Sequence, residues 1–142
     1  MVRVPVSRPR SFGTGRFAAA MYMPMASGWF TNNGPSARLF EATVEGRLGV
    51  PNFVAMANGT LALEAAVSRL FKPGDRIAIP SYTFVSVASA VVRHGCEPVF
   101  IDIEPHRWTM SYIDLMDRIN SVDGVIVANV FGVSPDLSLI HI

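Results

Sequence analysis

The 142-residue sequence has one cysteine, one lysine and no apolar run near the ~20 residues that a membrane-spanning helix requires. A lone Cys96 excludes an internal disulfide and suits a reducing compartment. Because it precedes Glu97-Pro98 at the entry to an apolar stretch, it reads as a packed thiol. Asn58, Glu64, Arg69 and Asp75 interrupt the apolar candidates, so a soluble, cytoplasmic protein is expected. Charge of one sign is also scarce. Twelve basic and 11 acidic residues leave +1, too little for a broad field toward nucleic acid or a membrane. Lys72 sits in the turn Phe71-Lys72-Pro73-Gly74 and reads as a solvated charge. Internal repeats, low-complexity segments and a metal-ligand set are likewise lacking.

Half of the residues are hydrophobic, enough for one core of ordinary size. Residues 1–16 hold Arg3, Arg8, Arg10 and Arg16 without an acid, and Pro5, Pro9 and Gly13 discourage regular structure there. An N-terminal arm over 1–26 is expected. Gly34-Pro35-Ser36 opens a helix, since proline at the first position loses only an N–H that would be unpaired anyway. Phe40, Val44 and Leu48 then recur every four residues until Gly49 ends the helix. Beyond it the pattern predicts strands at 53–57, 76–79, 99–101 and 125–128, with helices at 61–70, 84–92 and 111–119 between them. The helix over 61–70 is so apolar that cover on most sides is expected.

Strands that are continuously apolar point to burial on both faces, hence to a mainly parallel sheet between helix layers. In such a sheet the strand-to-helix junctions share one edge. Two junctions there have chemistry. Asn58-Gly59-Thr60 breaks a strand straight into a helix, whose unpaired amides form an anion cradle that glycine lets a phosphate approach closely. Ser81-Tyr82-Thr83-Phe84 carries two rings and two hydroxyls that could cover a flat ring. A dinucleotide site would instead need G-x-G-x-x-G after the first strand and an acid closing the second, but the first turn has one glycine and Pro80 closes the second strand.

These junctions, with Ser27-Gly28-Trp29-Phe30-Thr31, Asn33-Gly34-Pro35, Pro73-Gly74-Asp75, Pro98-Val99-Phe100-Ile101-Asp102-Ile103 and Phe131-Gly132, resemble the DegT/DnrJ/EryC1/StrS sugar aminotransferases of the fold type I pyridoxal-phosphate (PLP) enzymes. The resemblance runs from about residue 27 to 136. It implies an α/β fold, a partial three-layer sandwich forming the N-terminal part of a PLP-dependent transferase large domain. It also implies a PLP cofactor, with Gly59 and Thr60 on its phosphate and Phe84 against its ring. Trp29, Phe30, Thr31 and Asn32 would be substrate or dimer contacts. Asp102 would hold a turn, Tyr82 would pack below the site, and His106 and Trp108 would be loop residues. Asn129 stands where many relatives carry histidine.

The activity implied is transfer of an amino group from an amino acid, glutamate, to a nucleotide-linked keto-sugar, in a homodimer. Alternatives are a sugar dehydratase of the same fold and a catalytically inert fragment, because the family's Schiff-base lysine belongs to a later segment and no catalytic residue is assigned here. Residues 137–142, Leu-Ser-Leu-Ile-His-Ile, can be translated from CTGTCTCTTATACACATC and are expected to be a non-native, adapter-derived tail.

Overall fold

The computed structural model describes residues 13–136 and 138, so most of the arm's basic stretch and most of the 137–142 tail lie outside the described residues. Contacts divide the chain into two compact units, 1–55 and 56–142. None of the described helices is long and apolar enough to cross a membrane.

The first unit holds two helices, α1 (Thr14–Ser27) and α2 (Pro35–Leu48). Helix α1 occupies the second half of the segment expected to be an N-terminal arm. Its run of Ala and Met residues favours helix, and Gly28 ends it with φ +64. As expected, α2 starts at Pro35 and stops at Gly49, whose φ is +65 and whose amide donates to the Glu45 carbonyl. The expected strand over 53–57 is absent. The amides of Phe53 and Ala55 instead donate to carboxylate oxygens on α2, Glu45 at 2.8 Å and Glu41 at 2.9 Å, so side chains satisfy donors that a neighbouring strand would otherwise pair.

The second unit is an α/β layer structure. Helix α3 (Gly59–Leu70) leads to β1 (Arg76–Pro80), followed by α4 (Ser86–Arg93), β2 (Glu97–Ile101), α5 (Tyr112–Arg118) and β3 (Gly124–Val125). The three strands form a parallel sheet in the order β2-β1-β3. Central β1 alternates its buried side chains between two cores. Ile77 and Ile79 meet Val67 of α3 and Val87, Ala90 and Val91 of α4. Ala78 faces the other way with Val99, Ile101, Met110 and Leu115 of α5. A helix layer on each face of a parallel sheet is the arrangement expected from the continuous apolar runs.

Three expectations need correction. Burial on both faces holds for β1 but not for β2, an edge strand that leaves Phe100 exposed. Helix α3 buries only Val67 fully, and Leu61 and Leu70 face solvent. The fourth expected strand is short, although the Ile126 amide still reaches the Ala78 carbonyl at 2.8 Å.

Candidate functional site

Helix α3 begins at an extended Asn58 (φ −164, ψ 169), whose Oδ1 accepts from the Leu61 amide at 2.9 Å. The Ala62 amide donates to the Asn58 carbonyl at 3.1 Å. Of the first four amides of the helix, those of Gly59 and Thr60 therefore remain, and neither has an acceptor among the described residues. Two adjacent free amides at the positive end of a 12-residue helix favour an anion. Gly59 has no positive φ, and a Cβ built on it would meet nothing within 4 Å. The chain's own packing thus sets no need for glycine. Asn58 is both the turn residue and the cap.

The topology places this helix start and the Tyr82-Phe84 junction on the same edge of the sheet. The turns that follow α3 and α4 are joined by the Gly74 amide donating to the Gly95 carbonyl at 2.8 Å, and both helices lie on one face of β1. Their C-terminal ends are therefore together, at the start of the strands. Their N-terminal ends lie at the strands' C-terminal edge, where Ser81 follows β1.

At that edge, the segments 82–84 and 128–131 line an open cleft of about 420 Å³. Phe84 is 72% exposed, so its ring belongs to the cleft surface and not to the core. Gly59 and Thr60 share the edge but do not line this cleft. Asn129 does line it. Trp108, expected as a plain loop residue, packs edge-to-face on Tyr82, with ring centroids 5.2 Å apart, and on Phe131, 6.2 Å apart. No periodicity pointed to this meeting, because the three rings follow three different strands.

Trp29 to Asn32 belong to the first unit. Thr31 and Asn32 line a pocket there with Glu41 and Ala55. The Arg38 guanidinium lies 5.5 Å from the centre of the Trp29 ring, and its Nε donates to the Asn33 carbonyl at 3.1 Å. Phe30 is exposed.

Three residues have local roles. Asp102 holds a turn: its Oδ1 accepts from the Ile103 amide at 2.8 Å, and its own amide donates to Asp114 Oδ2 at 2.7 Å. That amide, joined by the Arg118 guanidinium, holds the Asp114 carboxyl below its ordinary range against the opposing effect of burial. Lys72 is exposed in its turn. Cys96 is buried with Sγ donating to the Lys72 carbonyl at 3.4 Å; burial, and then the nearby Asp75 charge, push its thiol up.

The profile of the DegT/DnrJ/EryC1/StrS aminotransferase family matches residues 14–141. Protein Rv3402c of Mycobacterium tuberculosis is 37% identical over 96% of this chain, and the chain spans 35% of that relative's length. GDP-perosamine synthase of Vibrio cholerae is 31% identical over 78% of the chain, which spans 31% of it. Among solved structures, Spr1654 from Streptococcus pneumoniae in its PLP-form superposes with a TM-score of 0.86 at 25% identity, over 98% of this chain and 35% of that one. The match over nearly the whole chain means that the chain belongs to the DegT/DnrJ/EryC1/StrS aminotransferase family.

Proposed function

We propose that this chain supplies part of the cofactor and substrate site of a PLP-dependent aminotransferase that moves an amino group from glutamate to a nucleotide-linked keto-sugar. The observation that carries the reading is the pair of free amides at Gly59 and Thr60, set on the same sheet edge as the exposed ring of Phe84. The residues present fit the cofactor. Gly59 and Thr60 would donate to its phosphate through the backbone, and the Thr60 hydroxyl would add a third donor. The Phe84 ring would cover one face of the pyridine. Bound PLP supplies the electron sink for amino transfer. This chain's part is to hold the anion, fix the plane of the ring and keep water from that face. The exposed Trp29-Asn32 segment would contact the sugar substrate or the second subunit of a homodimer. A relative named for a nucleotide-sugar product, GDP-perosamine, supports the substrate class.

Gly59→Ala tests the cradle. A methyl group there meets no protein atom, and alanine favours helix over glycine by up to about 1 kcal/mol, so the free chain should be as stable as before or slightly more so. PLP affinity, read by fluorescence titration, should fall. Unchanged affinity would remove Gly59 from the site. For the activity, a protein of the relatives' length containing this chain should form more than one equivalent of 2-oxoglutarate per active site from glutamate only when a nucleotide-linked keto-sugar is present to take up the amino group. Absence of that product would refute the assignment.

A further inference from the structure

The turn after β2 is tightly closed. The amides of Arg107 and Trp108 donate to the Glu104 carbonyl at 3.2 and 2.8 Å, the Glu104 amide donates to the Thr109 carbonyl at 2.9 Å, and Arg107 Nη2 reaches the Ser134 carbonyl at 3.4 Å. Within this turn Trp108 has φ +62, and Phe131, which lines the cleft, has φ +51. Bulky side chains rarely adopt that left-handed backbone, and keeping them there costs free energy that the surroundings must offset. At Trp108 the result is placement of an indole against both Tyr82 and Phe131, at interplanar angles of 70° and 67°. Tyr82 follows β1 and Phe131 follows β3, and both line the cleft, whereas Trp108 follows β2 and does not line it.

We propose that Trp108 is a positioning residue, an aromatic spacer that holds Tyr82 and Phe131 at the separation that lets a planar ring enter beside Phe84. The inference rests on the reading that the cleft receives the pyridoxal ring. Edge-to-face pairs are directional, so an indole wedged between two rings sets their tilt as well as their distance. Phe84 makes no such pair among the described aromatics and depends on the walls for the shape of the space around it.

The test compares the chain with Trp108→Asn, which tolerates a positive φ but removes the ring, and with Trp108→Phe, which keeps a ring. Each is titrated with PLP and, separately, with inorganic phosphate followed by phosphorus NMR. Near-UV circular dichroism of the ligand-free chain reports the coupled rings. The expected result is about a tenfold loss of PLP affinity in Trp108→Asn, recovery in Trp108→Phe, and phosphate affinity unchanged in both. Both variants lose the indole's own band, whereas the tyrosine band to which Tyr82 contributes should shrink in Trp108→Asn alone. Equal loss for phosphate and PLP would mean general damage and would overturn the proposal, as would unchanged PLP affinity in Trp108→Asn. If the unsubstituted chain binds phosphate but not PLP, the ring-binding reading itself fails. Should Trp108→Asn not fold, Trp108→Leu against Trp108→Phe makes the same comparison with apolar bulk retained. Equal PLP affinity in that pair overturns the inference.

Discussion

Asn58 separates two properties that are usually entangled at a helix start, stability and anion binding. Its Oδ1 satisfies the Leu61 amide at 2.9 Å from an extended backbone, the geometry of a helix cap. Replacing it with alanine leaves that amide without its side-chain partner and should cost about 1 kcal/mol. Replacing it with aspartate keeps the acceptor and places a negative charge at the positive end of the helix, which should hold stability level or raise it by roughly 0.5 kcal/mol. The effect on a phosphate held by the neighbouring Gly59 and Thr60 amides runs the other way. At ~4 Å in water each pair of unit charges interacts by about 1 kcal/mol, so an aspartate facing a dianion should weaken it by about 2 kcal/mol, roughly thirtyfold in Kd. Alanine adds no charge there and should change affinity far less. Urea unfolding followed by far-UV circular dichroism gives the stability order Asp ≥ Asn > Ala. Fluorescence titration with PLP gives the affinity order Asn ≥ Ala > Asp. If Asn58→Asp bound PLP as tightly as the unsubstituted chain at low salt, the phosphate would not sit at these amides.

Three further outcomes can be checked. A Cβ on Gly124 would collide with Phe71 Cε1 and Cζ, so Gly124→Ala should lower stability by about 1–3 kcal/mol, and Phe71→Leu in the same chain should recover part of it, measured as the urea midpoint. The Asp114 carboxyl is held low by the Asp102 amide and by Arg118, so its stabilising contribution is present above the ordinary carboxylate value and is lost as pH falls through its lowered one. Asp114→Asn should therefore differ most from the unsubstituted chain near neutral pH and converge with it in acid, as thermal melts across pH would show. Burial and the Asp75 charge raise the Cys96 thiol, whose contribution is full below the ordinary thiol value and fades as pH rises through the raised one. Alkylation at neutral pH should be slow in the folded chain and fast in urea, and equal rates would contradict its burial.

Elements written in local signals were legible. Pro35 and Gly49 bracket α2, Pro80 closes β1, and Gly95, with φ +73, follows α4. The segment 53–57 misled because a short apolar run says nothing about partners, and Glu41 and Glu45 claimed two of its amides. Helix α1 is not evident from the sequence because the prolines and arginines before residue 14 mask the helical signal of the alanine-rich stretch after it. Exposure of Phe84 decided between core packing and cleft surface, a choice that a ring at a helix start leaves open.

The Asn-Gly-Thr junction was determined by the chain alone, because capping is a matter of a few consecutive residues and their hydrogen bonds. So was the parallel sheet, since runs of buried β-branched and aliphatic side chains demand cover on both sides. Only the tertiary structure decided that residues after three separate strands, Tyr82, Trp108 and Phe131, would meet in one line of rings. Sheet order β2-β1-β3 brings those strand ends side by side, and neither spacing nor composition encodes which ends become neighbours.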